Sequence, residues 1–330
     1  MSPRRFTAAL LVLGLLTACG PVETPTATAP LRSVKLMLGF RPDVQFAPFY
    51  LAQQAGYFAD AGLDVTIEFK DGADLMRLVA AGQPESGVFG VADATDVMIS
   101  RTAGIPVTYV STLYERFPVA LIGPSGTVPT DPAELAGKRI GTPGQFGSSW
   151  HALLALLDAG GLSAEDVTIR TYPQFNQVDG LLRGDVDLIT GFRNNEPLRL
   201  ELEGMAVDLL TVDEVAPLPG PGLIVGDDLL GSDPGLAAEF ARAMQRAVAA
   251  IAAAPEIGFD AAAEAVPAIG EERETALSVL EATILLWSTN GGRIDQTAWE
   301  SGYETMVSLG FIDGSVPVGE MTSDVAAPTP

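Results

Sequence analysis

The chemistry open to this chain is limited by its scarcest residues. It has one histidine, His151, and one cysteine, Cys19. Ser148 and Ser149 precede His151, so a serine–histidine pair for hydrolysis is arithmetically available. Neighbours at a helix start are badly arranged for a triad, however, and the chain has no Gly-x-Ser-x-Gly elbow. His151 reads instead as a polar residue near a pocket or on a helix surface. There is no Walker loop, and no Gly-x-Gly-x-x-Gly run follows a strand. So few histidines and cysteines argue against a catalytic transition metal and against a multi-cysteine structural site. The expectation is a chain that is not an enzyme, with no catalytic residues, no metal ligands and no cofactor.

Residues suited to recognition are denser. The segment 38–50 reads Leu-Gly-Phe-Arg-Pro-Asp-Val-Gln-Phe-Ala-Pro-Phe-Tyr. It places Phe40, Phe46, Phe49 and Tyr50 just past the first strand, where open α/β sheets bind ligands. Flat rings suit a flat heterocycle, and an aromatic pair adds on the order of 1 kcal/mol beyond burial. About half of these rings are expected to seal the core beneath the first helix instead. Asp43 is the polar member, a carboxylate able to accept ring N–H or hydroxyl donors.

The N-terminus has to be set aside before the fold is read. Arg4 and Arg5, an apolar stretch 6–16 and the run Leu16-Thr17-Ala18-Cys19-Gly20 resemble a lipoprotein signal with its lipobox. Residues 1–18 are read as the signal peptide and Cys19 as the acylated residue. A stretch rich in proline and threonine, 19–33, is read as a flexible tether. The formal charge is −23, and loss of Arg4 and Arg5 leaves 17 basic against 42 acidic side chains, or −25. Such a surface repels phosphate backbones, so nucleic acid is excluded as a partner.

The rest alternates strand and helix patterns. Strands are expected at 34–38, 63–69, 86–91 and 107–113, with helices at 46–54, 73–81 and 93–102, the last capped by Asp93. A second set follows, with strands at 119–122, 138–141, 167–172, 186–192 and 207–212. Its helices fall at 149–159, 177–183 and 197–202. The run Pro217-Leu-Pro-Gly-Pro-Gly222 is read as a crossover back to the first domain, followed by a strand at 223–225 and a helical end. This βαβα order implies mainly parallel sheets covered by helices. The expected layout is 34–115 plus 220–318 for the first domain, 116–219 for the second, and a loose tail at 319–330.

Three stretches carry a family resemblance: Asp43-Val-Gln-Phe-Ala-Pro-Phe-Tyr50, Gly56-Tyr-Phe58 and Gly62-Leu-Asp-Val65. With Leu135-Ala-Gly-Lys-Arg-Ile-Gly141 and Gly191-Phe-Arg-Asn-Asn-Glu-Pro197, they resemble the NMT/THI-type periplasmic-binding proteins over nearly the whole mature chain. That resemblance implies a two-domain α/β periplasmic-binding-protein fold of type II, with the ligand cleft between the domains and a helical C-terminal end. It implies a first wall from 43–50 and 89–93 and a second from 144–150 and 192–196. Carried over by position, the ligand-binding residues are Asp43, Gln45, Phe46, Phe49, Tyr50, Phe89, Ser148, Trp150, Phe192, Asn194, Asn195 and Glu196. Several of them have a plainer alternative. Ser148 also suits a helix cap, Trp150 a core, the two asparagines a turn and Glu196 the start of the next helix. Free backbone N–H groups in 141–149 also suit a polar or anionic ligand atom.

The resemblance further implies a monomeric, lipid-anchored receptor outside the cytoplasm that delivers a small molecule to an ABC permease. The family includes binders of riboflavin and of thiamine pyrimidine precursors. Riboflavin is the first expectation, because Phe40, Phe46, Phe49, Tyr50, Phe89, Tyr114, Phe146, Trp150 and Phe192 offer enough aromatic surface for three fused rings. No Lys or Arg cluster accompanies them, Arg41 and Arg193 excepted, which suits a neutral vitamin. A branch of the family that synthesises the thiamine pyrimidine carries a cysteine-rich motif with histidine nearby. This chain has neither.

Overall fold

The computed structural model describes residues 30–70 and 72–327. The signal peptide, Cys19 and most of the tether expected at 19–33 lie outside the described residues.

The first lobe is built by β1 (Arg32–Leu38), α1 (Ala47–Gln54), α2 (Tyr57–Asp60), β2 (Leu63–Phe69), α3 (Gly72–Ala80), β3 (Val88–Ala92), α4 (Ala94–Thr102) and β4 (Val107–Thr112). The chain then crosses and builds the second lobe. Its elements are β5 (Val119–Pro124), β6 (Arg139–Thr142), α5 (Gly147–Ala159), β7 (Thr168–Thr171), α6 (Gln177–Leu182), β8 (Leu188–Phe192), α7 (Glu196–Leu202) and β9 (Val207–Thr211). It returns through β10 (Gly222–Gly226) and ends in α8 (Asp227–Ser232), α9 (Pro234–Ala253), α10 (Pro255–Ala265), α11 (Pro267–Glu271), α12 (Arg273–Ile284) and α13 (Gln296–Ser308). Among the described residues, no helix is long and apolar enough to cross a membrane.

Each lobe holds a five-stranded sheet, ordered β2-β1-β3-β10-β4 and β7-β6-β8-β5-β9. Neither sheet is wholly parallel. β10 runs antiparallel to β3 and β4, and β5 runs antiparallel to β8 and β9. The reason lies in the connectivity. The remaining strands of each sheet end at the cleft, whereas β5 and β10 enter their sheets from the cleft side, having just crossed from the other lobe. A strand that starts where its neighbours end must run against them.

The crossovers lie side by side. The amides of Leu113 and Tyr114 both donate to Pro221 O, at 3.1 and 2.9 Å. A Cβ on Gly220 would stand 2.1 Å from Tyr114 O, and one on Gly222 would stand 2.3 Å from the Tyr109 ring. The proline–glycine alternation therefore answers to a close backbone approach.

β3, β4 and β10 of the first lobe are buried on both faces, whereas the edge strand β2 alternates buried and exposed residues. Val34, Leu36 and Leu38 of β1 face a core shared with α1 and α9, while Met37 faces the opposite cluster with α3, α4 and α13. Phe240 of α9 lies between Phe89 and Phe58, at centroid distances of 4.2 and 4.8 Å.

The tail differs from its expected looseness. Tyr109 N donates to Met321 O and Ser323 N donates to Tyr109 O, both at 2.9 Å. Residues 321–323 thus cover the outer edge of β4, whose backbone groups would otherwise lie unpaired. Met321 is fully buried.

Candidate functional site

The loop leaving β1 is organised by a carboxylate. Asp43 Oδ1 accepts from the Gln45 backbone N–H at 3.0 Å and from Gln45 Nε2 at 3.1 Å. A carboxylate only accepts, so Gln45 must turn its amide nitrogen toward Asp43 and its oxygen away. That oxygen faces the second lobe and accepts from Asn194 Nδ2 at 2.7 Å, across 149 positions of sequence. Asn194 Nδ2 also reaches Thr283 Oγ1 at 2.7 Å, and the Thr283 hydroxyl donates to Val279 O at 2.6 Å. Asn194 stands on the turn between β8 and α7, and Thr283 at the end of α12. One amide thus ties the second lobe to two elements of the first. Gln45, Asn194 and Thr283 are all buried.

Around this junction several buried polar atoms have no protein partner: Tyr50 Oη, Asn194 Oδ1 and Trp287 Nε1. Buried groups of this kind are normally satisfied, by protein, water or ligand. Tyr114 Oη lies 3.5 Å from Gln45 Oε1. It also lies close to the Trp287 indole, without the alignment of a full hydrogen bond. Burial first, and the Asp43 charge second, hold the hydroxyls of Tyr50 and Tyr114 well above the usual tyrosine range, so both stay protonated donors.

A second junction joins α4 to α5. Asp93 stands at the N-cap position of α4, but its side chain makes no capping bond there. Its carboxylate lies close to the hydroxyl and the backbone N–H of Ser148, at the start of α5. The N–H end of α5, expected to meet an anionic ligand atom, stands beside an acid from the other lobe. Ser148 is likewise not the helix cap, because Phe146 holds that position. Beside it, His151 Nδ1 lies 2.9 Å from Thr95 Oγ1 and 3.9 Å from Asp96. His151 is buried, not on a helix surface, and meets the Phe311 ring edge-on at 4.6 Å. Burial pulls its pKa down to about 4, so the ring is neutral at neutral pH. Its partner is a threonine rather than either neighbouring serine.

Burial pushes Asp96 up to about 8, with the Asp93 charge adding to it, and burial raises Asp93 too. About a third of the Asp96 side chain (32%) still reaches solvent, which screens its charge.

A third contact lies at the rim. Phe40, in the loop after β1, meets Phe175, in the loop after β7, edge-on at 5.4 Å.

The other expected site residues are placed differently. Phe49 and Phe89 are wholly buried in the first-lobe core rather than lining the cleft, because the sheet and α9 enclose them. Trp150 packs into the second-lobe core. Phe46 is half-buried and tilts against Phe69, with centroids 6.2 Å apart. Phe192 is half-buried beside the second-lobe core. Asn195 Oδ1 accepts from Arg199 Nε at 2.8 Å, a bond within α7 and its cap. Glu196 braces its own turn, its Oε2 accepting from Phe192 N at 2.8 Å, and burial raises its pKa. Asp43, Gln45, Tyr50 and Asn194 are therefore brought together at one junction, and Ser148 stands at the next. Sequence reasoning missed Thr283, Trp287, Thr95, Asp96 and Phe175. Only the aromatic types of Trp287 and Phe175 were visible signals, with nothing to attach them to the cleft.

The cations noted from sequence do not enter this junction. Arg193 pairs with Asp213 at 3.1 Å, and Arg41 lies over the Phe40 ring at 5.2 Å from its centroid. Among the described residues, no group of three or more His, Cys, Asp or Glu could hold a metal ion.

Known proteins agree with this architecture. The model of the "NMT1/THI5 like" family matches residues 43–257. The chain is 32% identical to the riboflavin-binding protein RibY of Chloroflexus aurantiacus, across 99% of each chain. It is 30% identical to a 4-amino-5-hydroxymethyl-2-methylpyrimidine phosphate synthase of Legionella pneumophila, across 73% of this chain and 76% of that one. In structure it is similar to the periplasmic aliphatic sulphonate binding protein SsuA of Escherichia coli, with a TM-score of 0.69 and 12% identity over 88% of this chain and 91% of that one. It is also similar to the alkanesulfonate-binding protein SsuA of Xanthomonas axonopodis bound to MOPS, with a TM-score of 0.67 and 17% identity over 90% and 99%. The fold is that of the periplasmic binding proteins, and the chain belongs to the NMT1/THI5-like family.

Proposed function

We propose that this chain is the ligand-capturing component of an ABC importer and that its ligand is riboflavin. The observation that carries the reading is the first junction. Tyr50, Tyr114, Trp287 and Asn194 gather aromatic faces and unpaired polar atoms where the two lobes meet. The near full-length similarity to a riboflavin-binding protein supports the same ligand. Tyrosine and tryptophan faces suit the isoalloxazine, while hydroxyl, indole and amide groups suit its carbonyl edge and the ribityl hydroxyls.

Titration of the purified protein with riboflavin tests this. Quenching of flavin fluorescence to one equivalent is expected. No quenching, with tight binding of a thiamine pyrimidine precursor instead, overturns the ligand but keeps the receptor. That second ligand is favoured by the similarity to the pyrimidine phosphate synthases. Steady conversion of either compound in mass spectrometry would overturn the receptor reading in favour of an exported enzyme such as a hydrolase.

The receptor is further read as a monomer, anchored outside the cytoplasm by acylation of Cys19, and docking onto a membrane permease. If Cys19→Ser still partitions with membranes after salt washing, the anchor is elsewhere. The crossovers at 112–116 and 216–222 are read as the hinge, and scattering should show a larger radius of gyration for the ligand-free protein than for the bound one.

A further inference from the structure

We propose that Phe40 and Phe175 form an aromatic gate across the mouth of the cleft, which closes behind the bound ligand and sets how fast it leaves. The proposal rests on the ligand-binding reading above. Phe40 follows β1 and Phe175 follows β7, so both loops leave carboxyl ends of sheet strands, one in each lobe. Their rings meet edge-on at 5.4 Å, a preferred aromatic geometry. No other ring pair found among the described residues joins these two loops.

Three features distinguish the pair from ordinary packing. Phe175 is a large apolar side chain left 44% exposed, and its ring joins none of the apolar cores. Phe40 is half-buried, and the Arg41 guanidinium stands over its ring, 5.2 Å from the centroid. Phe175 is also the one non-glycine among the described residues with a left-handed backbone, at φ 56°. A bulky residue in that region costs energy and persists only where its surroundings require it. Closure of the turn by Phe175 N on Tyr172 O at 2.9 Å needs no ring at all. What the ring adds is the reach across the cleft.

The gate adjoins the first junction directly. The loop that carries Phe40 runs on to Asp43 and Gln45. Opening the gate would free the loop that presents Gln45 to Asn194, so rim and junction should open together.

The test uses the full soluble protein in two measurements. Riboflavin release is followed by stopped-flow recovery of flavin fluorescence. Phe175→Ala and Phe40→Ala should each speed release about two- to tenfold, the range expected for one edge-on pair. The double variant should be no faster than the faster single variant, because either truncation already breaks the pair. Phe175→Asn, which tolerates the left-handed backbone, should behave like Phe175→Ala. Unchanged release in both single variants, or additive effects in the double, overturns the gate.

The second measurement needs no ligand. Amide exchange at residues 40–46 should rise in Phe175→Ala, although the substitution lies in the other lobe. Unchanged exchange there overturns the gate whatever the ligand is. Failure of wild-type protein to quench riboflavin, with the exchange response intact, overturns only the ligand assignment. Melting curves of the variants confirm that they are folded.

Discussion

Asn194 donates to Gln45 across the cleft at 2.7 Å, and Asp43 dictates the direction of that bond by holding the Gln45 amide nitrogen. Both partners are buried, and removing Asn194 leaves Gln45 Oε1 only the long 3.5 Å contact with Tyr114 Oη. An unpaired buried acceptor costs about 1–3 kcal/mol. Asn194→Ala should therefore weaken ligand binding by roughly one to two orders of magnitude, read by fluorescence titration. Asn194→Asp should be worse, since it sets a carboxylate against the Gln45 oxygen and near Asp43. Wild-type affinity in Asn194→Asp would show that this bond has no part in closure.

The acids around the cleft predict ligand charge. Asp43 and Asp93 lie near Tyr114, and Asp43 lies near Glu196. A phosphate ester would meet these acids at the junction, while Arg41 stands over the Phe40 ring at the rim and Arg193 pairs with Asp213. Riboflavin should bind at least about tenfold more tightly than its 5′-phosphate, roughly 1.4 kcal/mol. Equal affinity for both in parallel titrations would contradict the electrostatic argument.

Stability should depend on pH through the junction of α4 and α5. His151, pulled down to about 4, binds its proton more readily when unfolded, so stability rises with pH between about 4 and 6.5 on its account. Asp96, pushed up to about 8, holds its proton in the native state, so its contribution is lost as pH rises toward 8. The two oppose each other below about 6.5; above it Asp96 acts in the same direction as Asp93 and Glu196, which burial also raises. The Asp96 share of the fall from pH 6.5 to 8 should be at most about 1.4 kcal/mol per unit, and less because solvent reaches part of its side chain. Asp96→Asn should flatten that slope in denaturant titrations at several pH values. A wild-type profile as flat as that of the variant would refute the assignment.

Phe240 tests the core apart from the cleft. Its ring lies between Phe58 and Phe89 and is fully buried. Phe240→Ala should destabilise the protein by about 3–5 kcal/mol. Ligand affinity, measured well below the melting temperature, should stay near wild type. A large loss of affinity with unchanged stability would mean that Phe89 and its neighbours meet the ligand after all.

Local pattern was enough to read most of the elements. The alternation in Leu63-Asp-Val-Thr-Ile-Glu-Phe69 became β2 with the expected bounds, and the helix expected at 177–183 became α6. Such signals are local because a strand or helix exposes its period within a few residues. The short helices α8 and α11 went unread, since five or six residues display no period.

What the sequence by itself determined was the succession of strands and helices, the double crossing between lobes, and the aromatic and acidic character of the loop after β1. Tertiary structure alone decided which of those residues meet. Phe46 and Phe89 belong to the same set of aromatics in sequence. Yet Phe89 is sealed under α9, while Phe46 tilts against Phe69 at the edge of the core. Asp93 resembles a helix cap, yet its side chain makes no capping bond and lies beside Ser148 of α5 from the other lobe. Gln45, Asn194 and Thr283 are separated by 149 and 89 positions, and no local period links them. Their meeting depends on how two sheets, joined by two close crossovers, turn their strand ends toward each other. That is a property of packing between lobes, which no short stretch of chain encodes.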